Sequence, residues 1–93
     1  MKLTETQLEQ FDREGYLFLP NLFSPEEAAF LKGEAEAIYQ MDRKEVWRET
    51  SGVARTAFAA HTYNEGFRRL GSHPRLIDPV EQLLDGKVYM HQY

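Results

Sequence analysis

The sequence predicts an α+β fold of amino-terminal helices and a few short strands. Three observations carry that expectation. Two helix starts have complete capping signatures, at Thr4 and at Ser24. Two β-prone runs, residues 46–49 and 53–58, flank Thr50-Ser51-Gly52. The end, Val88-Tyr89-Met90-His91-Gln92-Tyr93, reads as a strand again. The predicted order, helix, strand, helix, hairpin, two helices, strand, is an α+β arrangement.

Taken in order, Thr4 and Gln7 form a capping box, and Leu3 and Leu8 are spaced for a hydrophobic staple. Leu8 and Phe11 share a face, and Gly15 stops the helix after Glu14. Tyr16-Leu17-Phe18-Leu19, bounded by Gly15 and Pro20, predicts a short strand buried on both faces. Ser24, Pro25 and Glu27 sit at N-cap, N1 and N3 of the next helix. Its inner stripe is Ala28, Leu31, Ala35 and Ile38. Gly52 in a turn between β-prone runs predicts a hairpin. Residues 62–70 read as a third helix with Phe67 and Leu70 inward, broken by Gly71-Ser72-His73-Pro74. Pro74 opens another helical turn, and Asp78-Pro79 reads as a fresh cap and restart. Val80, Leu83 and Leu84 continue the apolar face to Gly86. The last strand is expected to present an unpaired edge.

Ninety-three residues fit one domain, and 42% hydrophobic content supports a core over disorder. Fifteen acidic residues against 11 basic ones weigh against nucleic acid, which needs clustered Lys and Arg. The lack of cysteine excludes disulfides, thiolate metal sites and thiol nucleophiles. Residues 1–10 lack the apolar region of a secretory signal, and the apolar run at Tyr16 is far too short to span a membrane. A soluble cytoplasmic protein is expected.

The chemistry-bearing residues are few. His61, Glu65 and His91 contain two imidazoles and a carboxylate, the composition of a facial metal triad. The plainer alternative is that His61 flanks the third helix and Glu65 is solvated. His73, at a helix entry before Pro74, reads as an ordinary polar loop residue. Arg55 could meet a substrate carboxylate or pair with Glu49 across the hairpin. Trp47, Tyr16 and Phe18 read as packing residues. In the last strand Val88, Met90 and Gln92 share one side, so Gln92 by itself reads as an edge-strand amide.

Five blocks nevertheless follow one another in a recognisable order: the Glu14-Gly15-Tyr16-Leu17-Phe18-Leu19-Pro20 stretch, Phe23-Ser24-Pro25-Glu26-Glu27, the hairpin at 49–61, the helix from His73 to Leu84, and Val88-Tyr89-Met90-His91-Gln92. In this the chain resembles the amino-terminal part of the phytanoyl-CoA dioxygenase family of Fe(II)/2-oxoglutarate oxygenases, nearest its proline/leucine hydroxylase and ectoine hydroxylase branch. The resemblance spans residues 1–93 as the amino-terminal part of a single oxygenase domain. It implies the first helices and strands of a double-stranded β-helix, or jelly roll, left incomplete. It also implies Fe(II) held by a His-x-Asp pair and a distant His, 2-oxoglutarate as cosubstrate, and a small amino acid or amino-acid-like solute as substrate. His61, His73 and His91 are followed two residues on by Tyr63, Arg75 and Tyr93, so no catalytic or metal-binding residue is assigned in this stretch. The chain alone is expected to be inactive and to bind neither iron nor 2-oxoglutarate. Gln92 is the one residue carried over: in the ectoine hydroxylase branch the Gln of this His-Gln pair lies in the active-site cavity near substrate and cosubstrate. A reading from another class is a non-catalytic helix–sheet module that self-associates by strand addition through its open terminal strand.

Overall fold

In a computed structural model, which describes residues 2–93, the chain forms four α-helices, a two-stranded hairpin and a 3₁₀ turn. The elements run α1 (Glu5–Glu14), α2 (Pro25–Tyr39), β1 (Val46–Arg48), β2 (Ala54–Ala57), the 3₁₀ turn (Ala60–Thr62), α3 (Glu65–Gly71) and α4 (Pro74–Leu84).

Local capping sets most of these boundaries. Thr4 Oγ1 accepts the Gln7 N–H at 3.2 Å while Gln7 Oε1 accepts the Thr4 N–H at 2.9 Å. Gly15, at φ 80°, closes α1 in the left-handed region and donates to Phe11 O. Ser24 and Glu27 repeat the reciprocal box at the start of α2, with Pro25 at the first position. The last turn of α2 carries no basic residue of its own. Arg48 of β1 supplies one, donating to Tyr39 O at 2.5 Å and Met41 O at 3.3 Å.

The hairpin is antiparallel, pairing Val46 with Ala57 and Trp47 with Thr56, and its register breaks between Trp47 and Arg48. Val46 points inward and is buried, whereas Trp47 lies on the exposed face, edge-on to Phe58 at 4.8 Å. Ile38, Val46 and Ala60 form the core, with Met41, Ala57, Tyr63 and Phe67 packed around it. Of the expected α2 stripe, Ile38 is buried, Leu31 and Ala35 are half-buried, and Ala28 is exposed.

Four expectations are corrected. Tyr16-Leu17-Phe18-Leu19 joins no ladder, and Tyr16 and Phe18 are 62% and 75% exposed. Leu17 and Leu19 are half-buried, so the run alternates faces but has no neighbouring strand to pair with. Residues 88–93 form no strand for the same reason. The third helix begins later than expected, because Asn64 accepts the Phe67 N–H at 2.9 Å and caps α3, separating it from the 3₁₀ turn. Finally, α4 runs through Pro79 without restarting. Proline forfeits the hydrogen bond that its position would have given the Arg75 carbonyl, yet the helix continues to Leu84, and the Arg75 side chain makes tertiary contacts of its own.

Those contacts tie distant parts of the chain together. Arg75 makes a two-pronged pair with Glu27 at 2.6 and 2.7 Å, donates to Leu22 O at 3.1 Å, and lies over the Phe23 ring. At the other end of α4, Gln82 exchanges hydrogen bonds with the main chain of buried Leu3, at 2.7 and 3.2 Å. The frame remains open. Its radius of gyration is 16.0 Å, against about 12 Å for a compact chain of this length. Its accessible surface is 7212 Å², against about 5,600 Å² for a compact protein of this mass.

Candidate functional site

The carboxy-terminal segment turns back from α4 and lies against α3 and the 3₁₀ turn. The Val88 N–H donates to Glu81 Oε2 at 3.2 Å, and the Ala59 N–H donates to the main-chain oxygen of Tyr93 at 3.3 Å. Beneath the segment is a cleft of about 460 Å³ whose walls include His61, Arg68, Ser72, Ile77 and Val88. Its size falls within the range of small-molecule pockets, and it combines apolar walls with a few polar groups. Gln92 is exposed, next to exposed His91 and half-buried Tyr93.

The metal-triad reading of His61, Glu65 and His91 is not assembled. Among the described residues no group of three His, Cys, Asp or Glu side chains is placed to hold a metal ion. The Glu65 carboxylate is taken up by Arg68 at 2.9 Å and Arg69 at 2.8 Å. Those hydrogen bonds, Arg68's first, pull its pKa from 4.5 to about 2. The His61 imidazole lies flat against Tyr93, 5.2 Å between centroids, with Nδ1 buried and without a hydrogen-bond partner. His91 is exposed. His73 caps α4, its Nδ1 accepting the Arg75 N–H at 3.1 Å, and its ring meets Phe23 edge-on. The residues described here therefore do not fit an iron site. Arg55 lies 3.8 Å from Glu49, the across-hairpin pairing that was the plainer of its two readings.

Two features escaped the sequence. The Glu27–Arg75 pair joins residues 48 apart, and no local pattern encodes it. Its hydrogen bond is the largest cause of the Glu27 pKa falling to about 2, and the Ser24 cap adds to it. The second feature is the seat of Tyr93. Burial raises its phenol pKa, and its ring is edge-on to Phe67 at 6.1 Å. An aromatic at the end of a β-prone run was the available signal, but its spacing gave no hint of His61 as its platform.

No family model matches the chain. Individual proteins do. It is 37% identical over 90 residues to an ectoine dioxygenase of Stutzerimonas stutzeri, covering 91% of this chain and 30% of that protein. It is 34% identical over 85 residues to an L-proline trans-4-hydroxylase of Streptomyces griseoviridis, covering 90% of this chain and 32% of that one. Its fold superposes on the crystal structure of EctD from S. alaskensis with 2-oxoglutarate and 5-hydroxyectoine, with a TM-score of 0.84 and 32% identity. That match covers 97% of this chain and 34% of EctD. The chain thus spans about a third of the length of the proteins it matches, and its helices and hairpin have the fold of the amino-terminal part of EctD.

Proposed function

Since the chain is related to the amino-terminal part of the Fe(II)/2-oxoglutarate oxygenases that include ectoine dioxygenase and proline hydroxylase, we propose that it is that part of a hydroxylase of a small amino acid or amino-acid-like solute. Residues 1–93 then contribute to a single cytoplasmic oxygenase domain whose iron ligands lie outside them. The observation that carries this reading is the match in sequence and fold over nearly the whole chain. The open frame supports it: about 1,600 Å² of surface beyond the compact expectation is what further layers of one domain would cover.

In that enzyme Fe(II), once bound, supplies the oxidising chemistry, with 2-oxoglutarate as the co-reductant of O₂. The part given to this chain is to bind and orient. Gln92 offers an amide NH₂ donor, which suits it to an amino-acid carboxylate or a 2-oxoglutarate oxygen, and a carbonyl that can accept from an amino group. The chain alone has no oxygenase turnover under this reading. No helix among the described residues is long and apolar enough to cross a membrane.

The test is the reading frame after codon 93 together with a substrate panel on its product. A continuation with a His-x-Asp pair, whose product forms succinate only when proline, ectoine or a similar solute is supplied, is the expected result. A continuation without that pair, or a product that consumes no 2-oxoglutarate, overturns the proposal. The second reading, a self-associating module, draws on exposed Tyr89 and Met90 in the terminal segment. A concentration-dependent dimer in light scattering, lost on Tyr89→Ser, would favour it instead.

A further inference from the structure

We propose that Tyr93 is the positioning residue that fixes Gln92, by seating its ring in a slot built from Gly71, His61 and Phe67. The inference rests on the reading of Gln92 as a ligand contact. It is carried by the way the segment is pinned.

The slot exists because position 71 has no side chain. A Cβ there would lie 2.8 Å from Tyr93 Cε2, closer than real Cβ contacts come, and a tight 3.0 Å from the flexible end of Met90. Above that gap the Tyr93 ring stacks on His61 with 14° between planes and meets Phe67 edge-on. It thereby lines the small cavity beside Ile38 and Ala60, so the seat is continuous with the core. Ala59, held at φ 54°, turns its N–H onto the Tyr93 main-chain oxygen. His61 Nδ1 is buried with no partner, and the ring offers its flat face to Tyr93 as a platform.

The consequence for Gln92 is geometric. Residue 93 is held by ring and main chain, and residue 88 by the Glu81 carboxylate. One planar peptide separates Gln92 from the fixed point, so its Cα is held about 3.8 Å from that of the seated Tyr93. Its side chain stays exposed while its neighbour is seated. Ordering a recognition group before the ligand arrives removes part of the entropic cost of binding.

The experiment has two arms. In the 93-residue chain, NMR follows the His61 ring protons and the exchange of the Ala59 amide. Tyr93→Ala and Gly71→Ala are expected to shift the His61 signals toward those of a free imidazole and to speed Ala59 exchange, whereas Tyr93→Phe leaves both as they are. Unmoved His61 signals in Tyr93→Ala overturn the seat. In the oxygenase that carries this segment, Tyr93→Ala is expected to raise KM for 2-oxoglutarate or the solute about tenfold with kcat within about twofold, and Tyr93→Phe to restore KM. If Gln92→Ala raises KM but Tyr93→Ala does not, the positioning role is overturned. If Gln92→Ala leaves KM unchanged, the reading of Gln92 fails, and the seat, still visible by NMR, is packing alone.

Discussion

The capped helices and the β-prone runs of this chain behave in opposite ways. α1 and α2 form as their sequences predict, because their start signals are answered within three residues: Thr4 by Gln7, Ser24 by Glu27. Tyr16-Leu17-Phe18-Leu19 and residues 88–93 have equally plain strand character and form no strand. A helix satisfies its backbone internally, whereas a strand needs a neighbour to exchange hydrogen bonds with. The one β-prone pair that does form a ladder is the pair with its partner six residues away, across Gly52. A run's propensity is thus a statement about what it will do once a partner is present, and the exposed Tyr16 and Phe18 show the cost of having none here.

The sharpest way to break this comparison is to remove the packing that both regions share. Ile38→Ala is expected to destabilise the chain by about 2–3 kcal/mol in urea unfolding, the lower part of the usual range because so few residues surround it. No change would mean that the helices stand without the core. Next comes the clasp between α2 and α4. Arg75→Ala is expected to lower the melting temperature, and Glu27→Gln to add little on top of it, because the two act as one unit. Additive losses would show separate roles. Both partners are more than a third exposed, so solvent screening trims the effect.

The same clasp carries a pH signature. The folded Glu27 carboxyl titrates at about 2 against 4.5 for the free group, so its contribution is fully present above 4.5 and is lost as pH falls toward 2. Glu65 adds a loss in the same window. Circular dichroism melts are expected to decline across that interval, less steeply in Glu27→Gln. A decline that begins near neutral pH would contradict the assignment. A smaller effect is expected from the caps: Ser24→Ala should cost about 1 kcal/mol, and Thr4→Ala somewhat less on the more exposed α1. Smallest of all, Phe18→Ser should change the stability of this chain by no more than about 0.5 kcal/mol, because its ring is already in water. A loss several times larger would show that the run is packed after all.

Legibility in the sequence follows the same division. The α2 start was readable at Ser24, Pro25 and Glu27, but the second role of Glu27 was not, since its partner Arg75 is 48 residues on. Asn64 was readable as a cap in principle: it precedes Glu65 and bonds to the N–H three residues on. The helical look of the residues before it masked that signal, because they form a 3₁₀ turn. At Pro79 the local rule predicted a restart, and α4 instead runs through the proline to Leu84. At the candidate site, the exposure of Gln92 fits an edge-strand amide as well as a ligand contact, so its assignment came from the ordered blocks of the resemblance. The Tyr93 seat depends on a gap at Gly71 that no spacing rule describes.

Under the proposal above, this stretch orients and supports while the groups that hold iron lie outside it. The most direct measurement is succinate formation by the purified 93-residue chain with Fe(II), 2-oxoglutarate, O₂ and either proline or ectoine. No succinate above a protein-free blank is expected. Iron-dependent succinate formation abolished by His61→Ala or His91→Ala would contradict the proposal.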